Sequence, residues 1–358
     1  CKDRKRKNEL NTLIKRSYNN QQVRKIALNS AYGALANQWF AFFDVDLAEA
    51  ITTSGQLIIQ WGEKTINEWL NQVLKTEGKD YVIAIDTDSL YITLDDLVKQ
   101  VFPEDTPKAK IIEFLNTISQ DKIEPVLAEG YERLAKDTNA FQNKMEMGRE
   151  VIADRGIWTA KKRYILNVHD NEGVRLAQPK LKMMGIETAK SSTPQWVRGK
   201  LTDAFNVVMN GTEQDLWKFV EEARRDFRTL PPEEVAFPRG CRGLKQYADR
   251  TMIYGKGTPI HVRGALLYNK LLTDKNLDMR YEVIKDGEQL HFSYLTTPNP
   301  INENVISFTG GLPKEFDLHR FVDHDMQFDK AFVEPLKAVI GLIGWNPEPV
   351  ASLDSFFA

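Results

Sequence analysis

The sequence predicts an α+β chain in which long helices surround a short antiparallel hairpin. Three observations carry this. Residues 81–94, YVIAIDTDSLYITL, are two apolar, β-prone runs (81–85 and 90–94) on either side of Asp-Thr-Asp-Ser, whose short side chains suit a turn. Residues 2–17, 21–32, 40–70 and 195–229 carry apolar side chains at helical spacing. Residues 160–166, AKKRYIL, run from a basic cluster into a second β-like stretch. At 358 residues the chain has room for two or three domains and a substantial core.

In chain order, Leu10, Leu13 and Ile14 mark a first helix over 2–17, Tyr18-Asn19-Asn20 a turn, and QQVRKIALNSAY (21–32) a second, antiparallel helix that stops at Gly33. Leu47, Ile51, Leu57, Ile58, Trp61, Ile66 and Trp69 are the expected buried side of the helix over 40–70. Asp44, Asp46 and Glu49 near its start favour the helix dipole. After the hairpin, 95–139 alternates helices and loops, and 143–152 reads as a strand entering the core. Ser191-Ser192-Thr193-Pro194 opens one amphipathic helical region over 195–229. Residues 230–300 read as loop-rich, from Pro231, Pro232, Gly240, Gly255, Gly257 and Pro259, and 313–343 as partly helical.

The chemistry-bearing residues are few. Asp86 and Asp88 sit one residue apart at the hairpin tip. Paired turn acids are compatible with simple solvation, yet a rigid strand pair that lifts two carboxylates to one edge is also a platform for hard divalent cations. Two such ions about 3.5–4 Å apart can stabilise an in-line phosphoryl transfer. Lys25, Asn29 and Tyr32, at i, i+4 and i+7, share a helix face. That face suits a triphosphate, a sugar edge and a base, and equally a half-buried helix with a snorkelling lysine. Lys161, Lys162, Arg163 and Tyr164 suit a nucleic-acid backbone or a solvated strand end, and Arg263 in IHVRG is another candidate backbone contact. Glu146 and Glu150 are further candidate metal ligands, and His261 reads as structural. The Pro-flanked end, NPEPVASLDSFFA, carries Leu353, Phe356 and Phe357, the pattern of a peptide that docks in a groove or of a tail folded on its own core.

A formal net charge of -2 argues against blanket attraction to nucleic acid, but residues 1–25 hold nine basic side chains against Asp3 and Glu9. With only Cys1 and Cys241 there is no disulfide framework, and a reducing compartment fits. No apolar run approaches a membrane span. No P-loop, dinucleotide-binding glycine pattern or Ser-His-Asp system is present, and no repeat.

Taken in order, Lys25-x-x-x-Asn29-Ser30-x-Tyr32-Gly33, Asp86-Thr87-Asp88-Ser89 and Lys161-Lys162-Arg163-Tyr164 resemble the back half of a family B DNA polymerase, of the replicative type found in T-even-type bacteriophages. The resemblance extends to 29–37, 50–61, 183–194 and 351–357. It implies a right-hand polymerase fold: fingers over 1–36, palm with the catalytic hairpin over 37–190, thumb over 191–345 and a clamp-binding tail over 346–358. It implies that Arg4, Lys25, Asn29 and Tyr32 contact the incoming nucleotide, Arg4 from a facing helix. Asp86 and Asp88 would be the catalytic carboxylates of a two-magnesium site, and Lys161, Lys162, Arg163, Tyr164 and Arg263 would bind primer-template. Leu353, Phe356 and Phe357 would bind a sliding clamp, and the enzyme would act in the cytoplasm of a bacterial host cell.

Departures from the family pattern matter. The other palm carboxylate motif, an Asp before a Ser-Leu-Tyr-Pro-Ser-like run, is absent, as are the exonuclease and N-terminal domains. Ile85 stands where relatives carry a small residue. The expectation is a catalytic chain active only with an N-terminal polymerase fragment, and Cys1 fits either an intein junction or another kind of boundary. A non-catalytic, clamp-tethered DNA-binding subunit and a two-metal nuclease are the alternatives.

Overall fold

The computed structural model describes residues 4–186, 188, 190–249 and 251–349 and is α+β, as the sequence predicts. It comprises two compact units, Cys1–Glu150 and Val151–Ala358.

The first unit opens with helix α1, Arg4–Leu35. The expected turn at Tyr18-Asn19-Asn20 does not form, and the pair of antiparallel helices is one continuous helix. Asparagine disfavours a helix only weakly, and no Gly or Pro interrupts the run before Gly33. None of its residues is buried. Helix α2, Val45–Leu74, starts at Asp44, whose carboxylate accepts the Leu47 N–H at 2.8 Å, an N-cap. Its first half is more open than the spacing suggested: Leu47, Ile51 and Leu57 are exposed, while Ile59, Ile66, Leu70 and Leu74 are buried. Strands β1 (Val82–Asp86) and β2 (Ser89–Ile92) form the hairpin, followed by α3 (Asp95–Val101), α4 (Lys108–Ile118) and α5 (Glu124–Asp137). A π turn, Ser119–Ile123, joins α4 to α5. It lies directly before Glu124-Pro125, where the missing proline N–H would break an ordinary α ladder.

The core of this unit lies between the second half of α2, α5 and the hairpin, around Ile66, Leu70, Tyr81, Val82, Leu127 and Tyr131. Two glycines let the helices meet. A Cβ on Gly62 would lie 2.6 Å from the Tyr131 hydroxyl, and one on Gly130 would lie 2.8 Å from Thr65 Cγ2. Trp61 Nε1 donates to the Gly130 carbonyl at 2.9 Å. The strand expected over 143–152 begins only at Val151. Residues 143–150 are extended loop instead, and Met147 packs on the core.

The second unit begins with the antiparallel sheet β3 (Val151–Ala160), β4 (Arg163–Asn171), β5 (Val174–Met184). The single helical region expected over 195–229 is two helices, α6 (Gln195–Asn210) and α7 (Glu213–Phe227). The break is the capping box Thr212/Asp215, a Thr-x-x-Asp signal visible in the sequence. Short elements follow: α8 (Pro232–Val235), β6 (Phe237–Gly240), α9 (Leu244–Tyr247), β7 (Ala248–Asp249) and β8 (Ile253–Tyr254). Helix α10, Ile260–Asp274, occupies part of the stretch read as loop. Pro259 is its N-cap residue, and a Cβ on Gly264 would lie 2.7 Å from the Ser307 amide. That glycine is a close-packing site. Strands β9 (Gln289–Tyr294) and β10 (Val305–Phe308) complete the order β10-β9-β6. Helices α11 (His324–Phe328) and α12 (Glu334–Ile340) are joined by a second π turn, Asp329–Val333, again directly before Glu-Pro. The core gathers α6, α7, α10, α11 and α12 with β9 and β10. Among the described residues no helix is long and apolar enough to cross a membrane.

Candidate active site

The hairpin tip is the most defined feature of the first unit. In register, Ile85 faces Leu90 and Asp86 faces Ser89, leaving Thr87 and Asp88 as a two-residue loop. Asp86 therefore ends a strand, half-buried, while Asp88 sits in the turn, exposed. The Asp88 N–H donates to the Asp86 carbonyl at 2.7 Å across Thr87, whose φ is 58°. A β-branched residue in that region is strained. Two weak local bonds orient the acids: Thr87 Oγ1 donates to Asp86 Oδ1 at 3.2 Å and Ser89 Oγ donates to Asp88 Oδ1 at 3.4 Å. Ile85, the residue before Asp86 on the strand, is 37% exposed, and strand alternation turns its side chain to the opposite face from that of Asp86. Relief of about 1–3 kcal/mol of backbone strain, less the roughly 0.5–1 kcal/mol glycine costs, makes Thr87→Gly stabilising by about 1 kcal/mol. The expected readout is a higher Tm for the unit that contains the hairpin.

Magnesium takes hard oxygen ligands, and the two carboxylates are donors of that kind. Among the described residues no group of three or more His, Cys, Asp or Glu side chains is placed to hold a metal ion. The donor chemistry fits, and the ligand set within these residues is incomplete. Glu146 and Glu150 lie exposed in the 143–150 loop.

Lys25, Asn29 and Tyr32 do share a face, all exposed on α1. Arg4 does not join them. On a continuous helix its Cα lies roughly 30 Å from that of Lys25, so the facing-helix contact expected of it is not formed within α1. In the second unit, Lys161 and Lys162 are exposed in the β3–β4 turn, with Lys162 at φ 60°. Gly185 backs this turn, since a Cβ there would collide with the Lys162 carbonyl. Arg163 is half-buried and Tyr164 is 4% exposed against Trp158, ring centroids 6.1 Å apart. The turn therefore offers cations outward and an aromatic support beneath. Arg263 lies over the Tyr254 ring at 5.6 Å and donates to Asn304, so its guanidinium is tied into its own unit. His261 is half-buried, and burial lowers its pKa. Leu353, Phe356 and Phe357 lie outside the described residues.

Sequence reasoning passed over Asn67, Asn71 and Gly185, because polar residues on a helix and a glycine near a loop read as unremarkable.

Residues 3–102, which include α1, α2 and the hairpin, match the model for DNA polymerase family B. Over 94% of its length the chain is 35% identical to a DNA-directed DNA polymerase of Enterobacteria phage T4, and over 93% it is 35% identical to that of Escherichia phage RB69. It spans 38% of the length of each. DNA polymerase 1 of Aeropyrum pernix is 21% identical over 74% of the chain.

Proposed function

We propose, from the premise that this chain belongs to DNA polymerase family B and is of the T-even type, that it is the C-terminal part of a replicative DNA-directed DNA polymerase. In this reading it works with an N-terminal part that carries the other catalytic carboxylate and the exonuclease. The observation that carries it is the near full-length similarity together with a strand pair that ends in Asp86 and Asp88.

Each group has a role that its position suits. Two magnesium ions, when bound, neutralise charge on the attacking and leaving oxygens of nucleotidyl transfer. Asp86 and Asp88 supply part of the oxygen cage from a fixed hairpin. Lys25 neutralises triphosphate charge from the exposed face of α1, with Asn29 and Tyr32 one and two turns on to line the pocket of the nascent base pair. Lys161 and Lys162 contact phosphates without reading bases, which suits sequence-independent binding. Tyr164 holds their turn from below. Fingers over 1–36, palm over 37–190 and thumb over 191–345 are the proposed domains, with 346–358 as a tail for a sliding clamp. The proposed palm spans the boundary between the two compact units. The enzyme acts in the cytoplasm of its host cell.

Primer extension tests the reading. Residues 1–358 alone, with primer-template, magnesium and nucleotides, should give no measurable extension, and adding the N-terminal polymerase part should restore it. Robust extension by the lone chain would refute the division of the metal cage.

A further inference from the structure

The hairpin that carries the two acids is docked on α2 by a pair of asparagines. Asn71 Oδ1 accepts the Lys79 N–H at 2.9 Å, and its Nδ2 donates to the Lys79 carbonyl at 2.7 Å. One helical turn earlier, Asn67 Oδ1 accepts the Tyr81 N–H at 2.8 Å and the Val82 N–H at 3.3 Å. Its Nδ2 donates to Asp80 Oδ1 at 2.9 Å.

The two repeats match. Four residues of helix rise about 6 Å, and two residues of extended chain advance about 6.6 Å. Side chains one turn apart on α2 therefore meet the backbone of Lys79 and Tyr81, alternate residues along one edge of the chain. The carboxamides stand in for the peptide groups of a neighbouring strand. The Thr93 N–H donates to the Tyr81 carbonyl at 2.8 Å. The lead into β1 is thus held both by α2 and by the chain leaving β2, with Tyr81 and Val82 buried. From Val82 the strand runs on to Asp86, with one irregularity in its pairing between Val82 and Ala84. A slip of one residue would turn every side chain to the opposite face and move the tip.

We propose that Asn67 and Asn71 are positioning residues for nucleotidyl transfer: they fix the register of β1 on α2 and hence the place of Asp86 and Asp88. This rests on the polymerase reading above.

The test uses the assembled polymerase, with single-turnover extension measured across magnesium concentrations at a temperature where each variant is folded. Asn67→Leu and Asn71→Leu should each lower the maximal rate by about tenfold or more and raise the magnesium half-saturation by about threefold, with primer-template Kd within about twofold. Asn67→Asp keeps the acceptor for Tyr81 and Val82 and should recover part of the rate. If a leucine variant does not fold, Asn67→Asp decides, with a raised magnesium half-saturation expected from its lost donor and its new charge beside Asp80. Rates and magnesium dependence within about twofold of wild type, with only Tm lowered, would overturn the proposal. A wild-type assembly that does not extend primers would overturn the polymerase reading instead.

Discussion

Asp88→Ala in the assembled enzyme is expected to lower the single-turnover extension rate by about a thousandfold or more, while primer-template affinity changes by less than about threefold. The magnitude follows from the several kcal/mol that a metal site contributes where charge develops, at 1.36 kcal/mol per tenfold. Asp88 is the more exposed of the two acids, set in the turn itself, whereas Asp86 ends a strand and accepts from Thr87. In the proposed reading DNA binding rests on other cations, notably Lys161 and Lys162 in the second unit, so it should survive. Unchanged extension would favour a clamp-tethered DNA-binding subunit in which the acids are vestigial.

The second large effect concerns stability. Phe328 is fully buried, stacked on Phe332 at 4.8 Å and edge-on to Phe227 at 5.3 Å. The Arg224 guanidinium sits 4.8 Å above its ring and also bonds Asp329 and Glu348, at 2.8 and 2.6 Å. Phe328→Ala removes the ring from a packed aromatic cluster and should cost about 3–5 kcal/mol. Urea unfolding of the chain should show the transition of the Val151–Ala358 unit moving to lower denaturant, with the Cys1–Glu150 transition in place.

Much of the candidate site was legible in the sequence because its signals are local. A short apolar, β-prone run, a polar turn and a second such run are enough to place the hairpin, and it forms within one or two residues of the expected bounds. Where the sequence misled, a tertiary or weak local effect decided. Tyr18-Asn19-Asn20 reads as a turn, yet without glycine or proline the helix continues. Pro259 and the glycines before it read as loop, yet Pro259 opens α10, and Gly264 lets that helix approach β10. The exposed first half of α2 carries the same spacing as its buried second half, and periodicity cannot say whether a neighbour is present to cover it. The asparagine ladder was invisible for a different reason. Two amides four residues apart on a helix look like solvent-facing polar positions until the backbone they bind is in view.

The two π turns have a consequence for how apolar positions can be spaced. Ser119, Ile123, Leu127 and Tyr131 are all buried and each lies four residues after the last, and so do Phe328, Phe332, Leu336 and Ile340. On an unbroken α-helix every such step overshoots the turn by about 40°, so three in succession would carry the stripe about 120° round the axis. One wider turn takes in an extra residue and winds the phase back. Each Glu-Pro pair thereby marks where the helical clock is reset, and a strict four-residue repeat stays on one face only because of that reset.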